Sequence, residues 1–469
     1  MSRAMDESCF DPRVCIISIG QPVAYDEARL EAALTRAARF LGWSSGTDVM
    51  AAIVRPDDPV LIKPNLVMDH NQGQWGLEPL ITNSTLISVT AKQILRSHPL
   101  ELLVGDAPLQ SCDFQALTSR SGLSGYSEEL ERRDARFKGI ADFRRTTCDF
   151  VAGVRIPAEN LRPMDQFVLF DLKAESLLEG VTDKRHPFRV TCYDPSLMAR
   201  THCAGKHEYL VAREVIESRL IVNMPKLKTH RKAGMTCSLK NLIGINGNKE
   251  YLPHHRLGGS ISGGDCYPGR STLKRALEHA LDRANSAATF GTAFVWRQAA
   301  AQLTRAISTG GDQVGVEGAW SGNDTIWRTC LDLNRILLYG RLDGSLSDQP
   351  QRRVIHVADA IVAGQGDGPL KPQPLPLGLL VAGYNASAVD WVCARLLGFD
   401  PDRLPCVRNA FDRFRWPLTA FQPEDIIVSG DLGSSIDSIA RFSRDFRVIY
   451  PAGWSDAADR GKQESVRRG

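Results

Sequence analysis

None of the 11 cysteines of this chain stands in a C-x-x-C pair. That spacing argues against a zinc ribbon or a ferredoxin-type centre, so no iron–sulfur cluster is expected; the scattered, odd set reads as mostly buried free thiols in a reducing compartment. Apolar runs are short: stretches such as "LGLLVAGY" fall well below the roughly 18 residues a spanning helix needs, so no membrane span is expected. The opening "MSRAMDESCFDPRVCIISIG" has no charged start followed by a long apolar stretch and a small-residue cleavage site, which makes the cytoplasm the expected location. Charge imbalance is slight, +3, too little for a general nucleic-acid binder. No G-x-x-x-x-G-K-[ST] order occurs, and the spacing of the glycine-rich "GGSISGGDCYPG" at 258–269 is wrong for a dinucleotide fingerprint.

What is present is globular: 469 residues, 43% hydrophobic and 24% charged, enough to bury a large core. The cations are divided unevenly. Of 57 only 14 are lysine, yet six of those 14 (206, 226, 228, 232, 240, 249) fall between residues 206 and 249. Scatter would put about one or two there. An ammonium is a compact point charge on a flexible stem, suited to phosphate or carboxylate oxygens, so this local use of lysine points to an anion site; a solvated charged face is the bland alternative.

The order of elements gives the fold class. "VCIISI" (14–19) reads as a strand and 25–43 as an amphipathic helix; "DPVLIKPNLVM" is a strand whose unbroken apolar run implies cover on both faces. "NSTLISVTAKQILRSH" opens with the capping pair Asn83 and Ser84, and "LELLVGDAP" returns to a strand. Strand, helix, strand at this spacing predicts an α/β fold, a doubly wound and mostly parallel sheet, with ligands at the carboxyl ends of its strands. Lys63, Asn65 and Asp106 fall at such ends. The core is expected over 1–265, with an elaboration at about 115–215, and again over 346–450; an inserted helical subdomain at 266–345 and a disordered tail at 451–469 complete the layout.

"RLIVNMP" (219–225) is a further buried strand with the lysine-rich segment at its end. "AGMTCSLKNLIGI" is predicted to be a short helix with Met235, Leu239 and Leu242 on one face, aiming Lys240 and Asn241 into the crevice. Amides freed at Gly244 and Gly247 would add donors to the same anion. The glycine-rich 258–269 is expected to be a loop able to close over a ligand. Asn323 and Asp324 read as helix caps and Asp390 as a first-turn residue facing the helix dipole. The tail of "RVIHVADAIVAGQGDGPL" turns Asp359, Gln365 and Asp367 toward the cleft.

"VLIKPN", "VGDAP", "NMPKLKTH", "LKNLIG", "DAIVAGQGDGP" and "VDWVCARLLGFDP" together resemble the bacterial and archaeal family known as domain of unknown function 362, over about residues 58–402; "LPHH" and "GNDTIWRTCLDLN" resemble a subgroup of it. The resemblance implies the α/β fold and no established reaction. Some relatives carry ferredoxin-like cysteine clusters that this chain lacks. The two strand-end motifs are also distantly similar to the N-terminal domain of nickel-pincer lactate racemases, and none of that chemistry is carried over.

The expected site therefore holds a small anionic metabolite, phosphorylated or polycarboxylate, through Lys63, Asn65, Lys226, Lys228, Asn241, Gly244, Gly247, Lys249, Asp359 and Asp367. Asp106, His230, Lys240, His254 and His255 are the candidates for proton transfer, and Asp106 and Asp359 with the histidines could take a divalent metal. No H-x-x-x-H or similar spacing supports the metal. Two alternatives stay open: racemase-like proton transfer beside a carboxylate, and a non-catalytic protein binding an anion, a nucleic acid or an acidic partner. Nucleic acid is disfavoured because the lysines lack interleaved aromatic platforms.

Overall fold

A computed structural model describes residues 7–312 and 314–458. Ten strands form one mixed sheet: β1 (Arg13–Ser18), β2 (Pro59–Pro64), β3 (Glu101–Asp106), β4 (Phe137–Asp142), β5 (Leu220–Met224), β6 (Lys226–His230), β7 (Gly234–Thr236), β8 (Arg353–Asp367), β9 (Lys371–Gly383) and β10 (Ile427–Gly430). Their order is β10-β1-β9-β8-β5-β2-β3-β4, with β6 paired to β8 and β7 to β6. The run from β8 to β4 is parallel throughout, whereas β9 is antiparallel to both β1 and β8. The sheet is therefore mostly parallel and α/β, as the spacing of elements predicts.

The apolar strands are covered on both faces. Val60 and Ile62 enter one core with helices Glu27–Leu41 and Ser84–Arg96, while Leu61 between them enters a second core with helix Ile326–Tyr339. Successive side chains point to opposite faces of a strand, so an unbroken apolar run is what double cover requires. The crossover from β2 to β3 begins at Asn83, whose side chain accepts the Thr85 amide as the sequence predicts. Asn323 likewise caps Ile326–Tyr339 by accepting from Thr325 and Ile326.

Three segments differ from expectation. Residues 234–236 form a strand against Lys228–His230, so Met235 is a strand residue, and the helix begins only at Ser238, running as α-helix to Asn241 and on as 3-10 helix over Leu242–Ile245. The glycine-rich 258–269 folds on itself and does not close over the crevice: a Cβ at Gly264 would lie 2.2 Å from the Leu257 and Gly258 carbonyl oxygens. Pro451–Ala458 is not a loose tail, because Trp454 is 1% exposed and donates its indole N–H to the Arg231 carbonyl at 2.6 Å; one large indole fixes an otherwise polar end. Residues 459–469 lie outside the described residues.

Helices Thr272–Asn285 and Phe290–Thr309 pack on each other over a small core of their own, with Leu277, Ala280, Ala300 and Ile307. Among the described residues no helix is long and apolar enough to cross a membrane.

Candidate functional site

Parallel strands β2, β3 and β5 end on the same edge of the sheet, and two buried ion pairs close those ends. Lys63, 0% exposed, meets Asp106 at 2.6 Å and donates to the Pro64 carbonyl at 2.8 Å; the other Asp106 oxygen accepts the Leu66 amide at 2.6 Å. One strand further, Lys226 meets Asp359 at 2.6 Å, and Asp359 also accepts from the Tyr25 hydroxyl at 2.9 Å and the Asn83 amide at 3.0 Å. Burial pulls each lysine below its ordinary pKa, and Asp106 above its own, while the partner's charge pulls back. Gly244 has no side chain for a plain reason: a Cβ there would lie 2.0 Å from Asp106 Oδ1 and 2.7 Å from Lys63 Nζ.

In front of these pairs is a cavity of about 530 Å³, within the range of small-molecule sites. Four buried or half-buried lysines, Lys228, Lys232, Lys240 and Lys249, line it with His230, His254, Asn65, Asn241 and Asp106, and the exposed Lys371 lines it too. Lys228 donates to Asn65 Oδ1 at 2.8 Å and to the Leu80 carbonyl. Asn65 in turn donates to Asn241 Oδ1 at 3.0 Å, and Asn241 donates to Asn223 Oδ1 at 2.8 Å and the Lys63 carbonyl at 3.1 Å. This amide chain ties the lysine wall to the strand ends. Lys232 donates to Thr191 Oγ1 at 2.6 Å and Lys249 to the Thr191 carbonyl at 3.4 Å. Lys240 has no side-chain hydrogen bond or ion pair among the described residues, and none of the four meets a carboxylate within 4 Å there.

Lys240 is aimed by its backbone. Both oxygens of Asp390 cap Ser238–Asn241, accepting from the Ser238 amide at 2.6 Å and the Leu239 amide at 3.1 Å. Burial raises the Asp390 carboxyl to about 7. All four lysines are held below their ordinary pKa, by burial first; Lys240 and Lys226 depress Lys228 further, while Glu317 partly offsets the effect on Lys232. Crowded ammonium groups with no carboxylate in ion-pair contact favour proton loss or an anion between them.

The Nδ1 atoms of the two cavity histidines have opposite roles, one accepting and one donating. Burial holds both well below the ordinary histidine value, and the surrounding lysines push the same way. His230 Nδ1 accepts the Lys232 and Ala233 amides at 3.0 and 3.2 Å, so its proton is on Nε2. His254 Nδ1 lies 2.7 Å from the Leu252 carbonyl, which can only accept, so Nδ1 carries a proton, and the lowered pKa favours a lone pair on Nε2. One ring offers a donor and the other an acceptor.

Several residues expected at the ligand are placed elsewhere. Lys63, Lys226 and Asp359 do not line the cavity; they are paired behind it. His255 is buried against β-bridge partner Arg189 and lies off the cavity. The Gly247 amide donates to the Leu210 carbonyl at 2.7 Å and is not free for an anion. Gly244 and Gly247 do line the wall, and Asp367 joins it from the end of β8, paired with Lys371. Thr191, Cys192, Thr236, Asn248 and Glu317 also line the wall; Thr191, Cys192 and Glu317 come from stretches without clear periodicity, whereas Thr236, Asn248 and Lys232 lie within the lysine-rich segment itself. Among the described residues no group of three or more His, Cys, Asp or Glu side chains is arranged to hold a metal ion.

A thylakoid-associated protein of Synechocystis sp. is 23% identical over 389 residues, covering 83% of this chain and 76% of the relative. Among solved structures, a protein of Thermotoga maritima is 12% identical with a TM-score of 0.35, over 78% of this chain and 58% of that one. The lactate racemase apoprotein of Thermoanaerobacterium thermosaccharolyticum is 10% identical with a TM-score of 0.33, over 84% of this chain and 59% of that one. This chain thus spans under two thirds of either solved chain. Residues 182–395, which hold every cavity lysine and both cavity histidines, match the model of the family described as Domain of unknown function (DUF362), the family that the motifs resemble.

Proposed function

We propose that this protein is an enzyme that binds a small anionic metabolite, phosphorylated or polycarboxylate, in the lysine-lined cavity and moves a proton on it. The observation that carries this reading is the set of four buried or half-buried lysines around one cavity, none ion-paired within 4 Å to a described carboxylate, beside two buried or half-buried histidines. A bound anion would offset the crowded ammonium charges and raise their pKa values toward normal, so part of the binding energy comes from relief of repulsion. Lys240 is the lysine best placed to act on the ligand directly, having no other partner. Lys228, Lys232 and Lys249 hold the anion from positions fixed by Asn65 and Thr191. Glu317 and Ala319, from the expected helical insertion, complete the wall.

The tautomers favour acid–base chemistry of the racemase or epimerase type over simple storage of an anion. His254 is suited to take a proton from carbon beside a carboxylate through Nε2 and to return it, and His230, with its proton on Nε2, is suited to donate a hydrogen bond to the oxygen on which negative charge develops. Asp106 is held by Lys63 and has a supporting role.

Thermal unfolding against a panel of phosphorylated and polycarboxylate metabolites tests this reading. At least one should raise the melting temperature of the wild-type chain, and Lys240→Ala should lose that shift while folding normally. If no small anion acts while a nucleic acid binds with steep salt dependence, the cavity is not an anion site and the nucleic-acid alternative stands.

A further inference from the structure

Nine of the 11 cysteines are buried; Cys203 is exposed and Cys192 is partly accessible. Cys192 lines the lysine cavity. Its neighbour Thr191 is the group on which two ammonium ions converge: Lys232 Nζ is 2.6 Å from its hydroxyl and Lys249 Nζ is 3.4 Å from its carbonyl. The Cys192 backbone is left-handed, φ 58°, a conformation uncommon outside glycine and asparagine that persists only where its surroundings impose it. Two further groups point to a ligand in the same space. Thr236, 3% exposed, brings to the wall a hydroxyl with no partner among the described residues. His230, also 3% exposed, lines the cavity with an Nε2–H that none of them accepts.

We propose that Cys192 is a nucleophile of this cavity, forming a covalent bond to an electrophilic carbon of an anionic ligand that the lysines hold. The inference rests on the anion reading of the cavity and goes one step past it. In the bond-forming step the sulfur attacks carbon and an S–C bond forms. The bond from that carbon to its leaving group breaks, the leaving group takes the electron pair, and the thiol proton passes to bulk water. Lys232 and Lys249 contribute by drawing the negatively charged ligand to the sulfur, since fixed charge in a cleft raises the local concentration of an opposite charge.

Alkylation of the full-length chain by iodoacetate and by iodoacetamide, each at limiting concentration and followed by peptide mass spectrometry, tests the proposal with Cys203 as the internal standard. Both reagents make an S–C bond and release iodide, but only iodoacetate is an anion. Cys192 should react with iodoacetate at least about tenfold faster than Cys203 does. Its preference should be for iodoacetate over iodoacetamide, and millimolar pyrophosphate should slow Cys192 alone. Lys232→Met should remove the preference and leave the Cys203 rates unchanged. Equal rates at the two cysteines, or no preference for the anionic reagent at Cys192, would overturn the proposal. If pyrophosphate raises the melting temperature while Cys192 is unreactive, the anion cavity stands and its nucleophile is refuted. If pyrophosphate neither stabilises the chain nor protects Cys192, both fail.

Discussion

Two groups of lysines occupy the same strand ends and have opposite surroundings. Lys63 and Lys226 are 0% exposed and face carboxylates at 2.6 Å. Lys228, Lys232, Lys240 and Lys249 follow Lys226 in the same lysine-rich segment and face a cavity without ion-pair partners among the described residues. A buried ion pair is weak evidence for stability in itself, since desolvation of both charges opposes their attraction. Removing one partner is another matter, because it strands a charge. The first group should therefore resist single substitutions by unfolding, and the second should tolerate them and lose ligand instead.

The largest effect should come from Asp359→Ala. It strands Lys226 and also removes the acceptor for the Tyr25 hydroxyl and the Asn83 amide. A loss of about 3–5 kcal/mol in urea unfolding is expected. The double change Asp359→Leu with Lys226→Met should recover much of it, since an apolar pair leaves no stranded charge. A single mutant as stable as wild type would show that Lys226 is not held as an ion and would erase the distinction between the two groups.

Gly244→Ala tests the first group from outside. Its new methyl would meet Asp106 Oδ1 at 2.0 Å and Lys63 Nζ at 2.7 Å, so the pair must separate or the backbone must shift. A loss of about 1–3 kcal/mol is expected from such overpacking. If stability is unchanged, the pair has slack and the wall of the cavity is softer than its contacts imply.

The division between the two groups was only half legible in the sequence. Strand ends were readable because β2 and β5 are unbroken apolar runs and Asn83 is a good cap. The crowding of lysine was readable because arginine is this chain's usual cation. What could not be read is which lysine has an acid opposite it. Lys226 and Asp359 are separated by 133 positions along the chain and meet through the register of β6 on β8, a tertiary fact with no local signature. The same limit explains residues 234–236: their strand exists because β6 offers an edge, not because of any period in "GMT". Thr191 and Cys192 reach the cavity from a stretch with weak patterning, where nothing but the fold brings them in.

Binding should depend on pH in a direction set by the second group. Its lysines are held below their ordinary pKa, chiefly by burial, and an anion favours their charged forms. Binding therefore takes up protons, and affinity falls as pH rises through the lowered lysine values. Each proton taken up is worth up to about tenfold, or 1.4 kcal/mol, per pH unit. Calorimetry with sulfate, which does not titrate here, in two buffers of different ionisation heat measures the uptake. Proton release, or affinity that does not change with pH, would mean that the lysines are already fully charged without a ligand.

The smallest change in stability, and the sharpest contrast, belongs to Lys240→Met. The substitution keeps the apolar stem and removes an ammonium with no partner among the described residues, so unfolding should move by no more than about 0.5 kcal/mol in either direction. Any shift should be toward greater stability, because Lys240 depresses its neighbour Lys228. Anion affinity should nevertheless drop by about 1.5–3 kcal/mol, the contribution of a hydrogen bond to a charged group. Equal losses of stability and binding would place Lys240 with Lys63 and Lys226 as a structural cation. A loss of binding alone would mean that its lack of a partner reflects a place kept for the ligand, with the Asp390 cap holding the short helix in position to fill it.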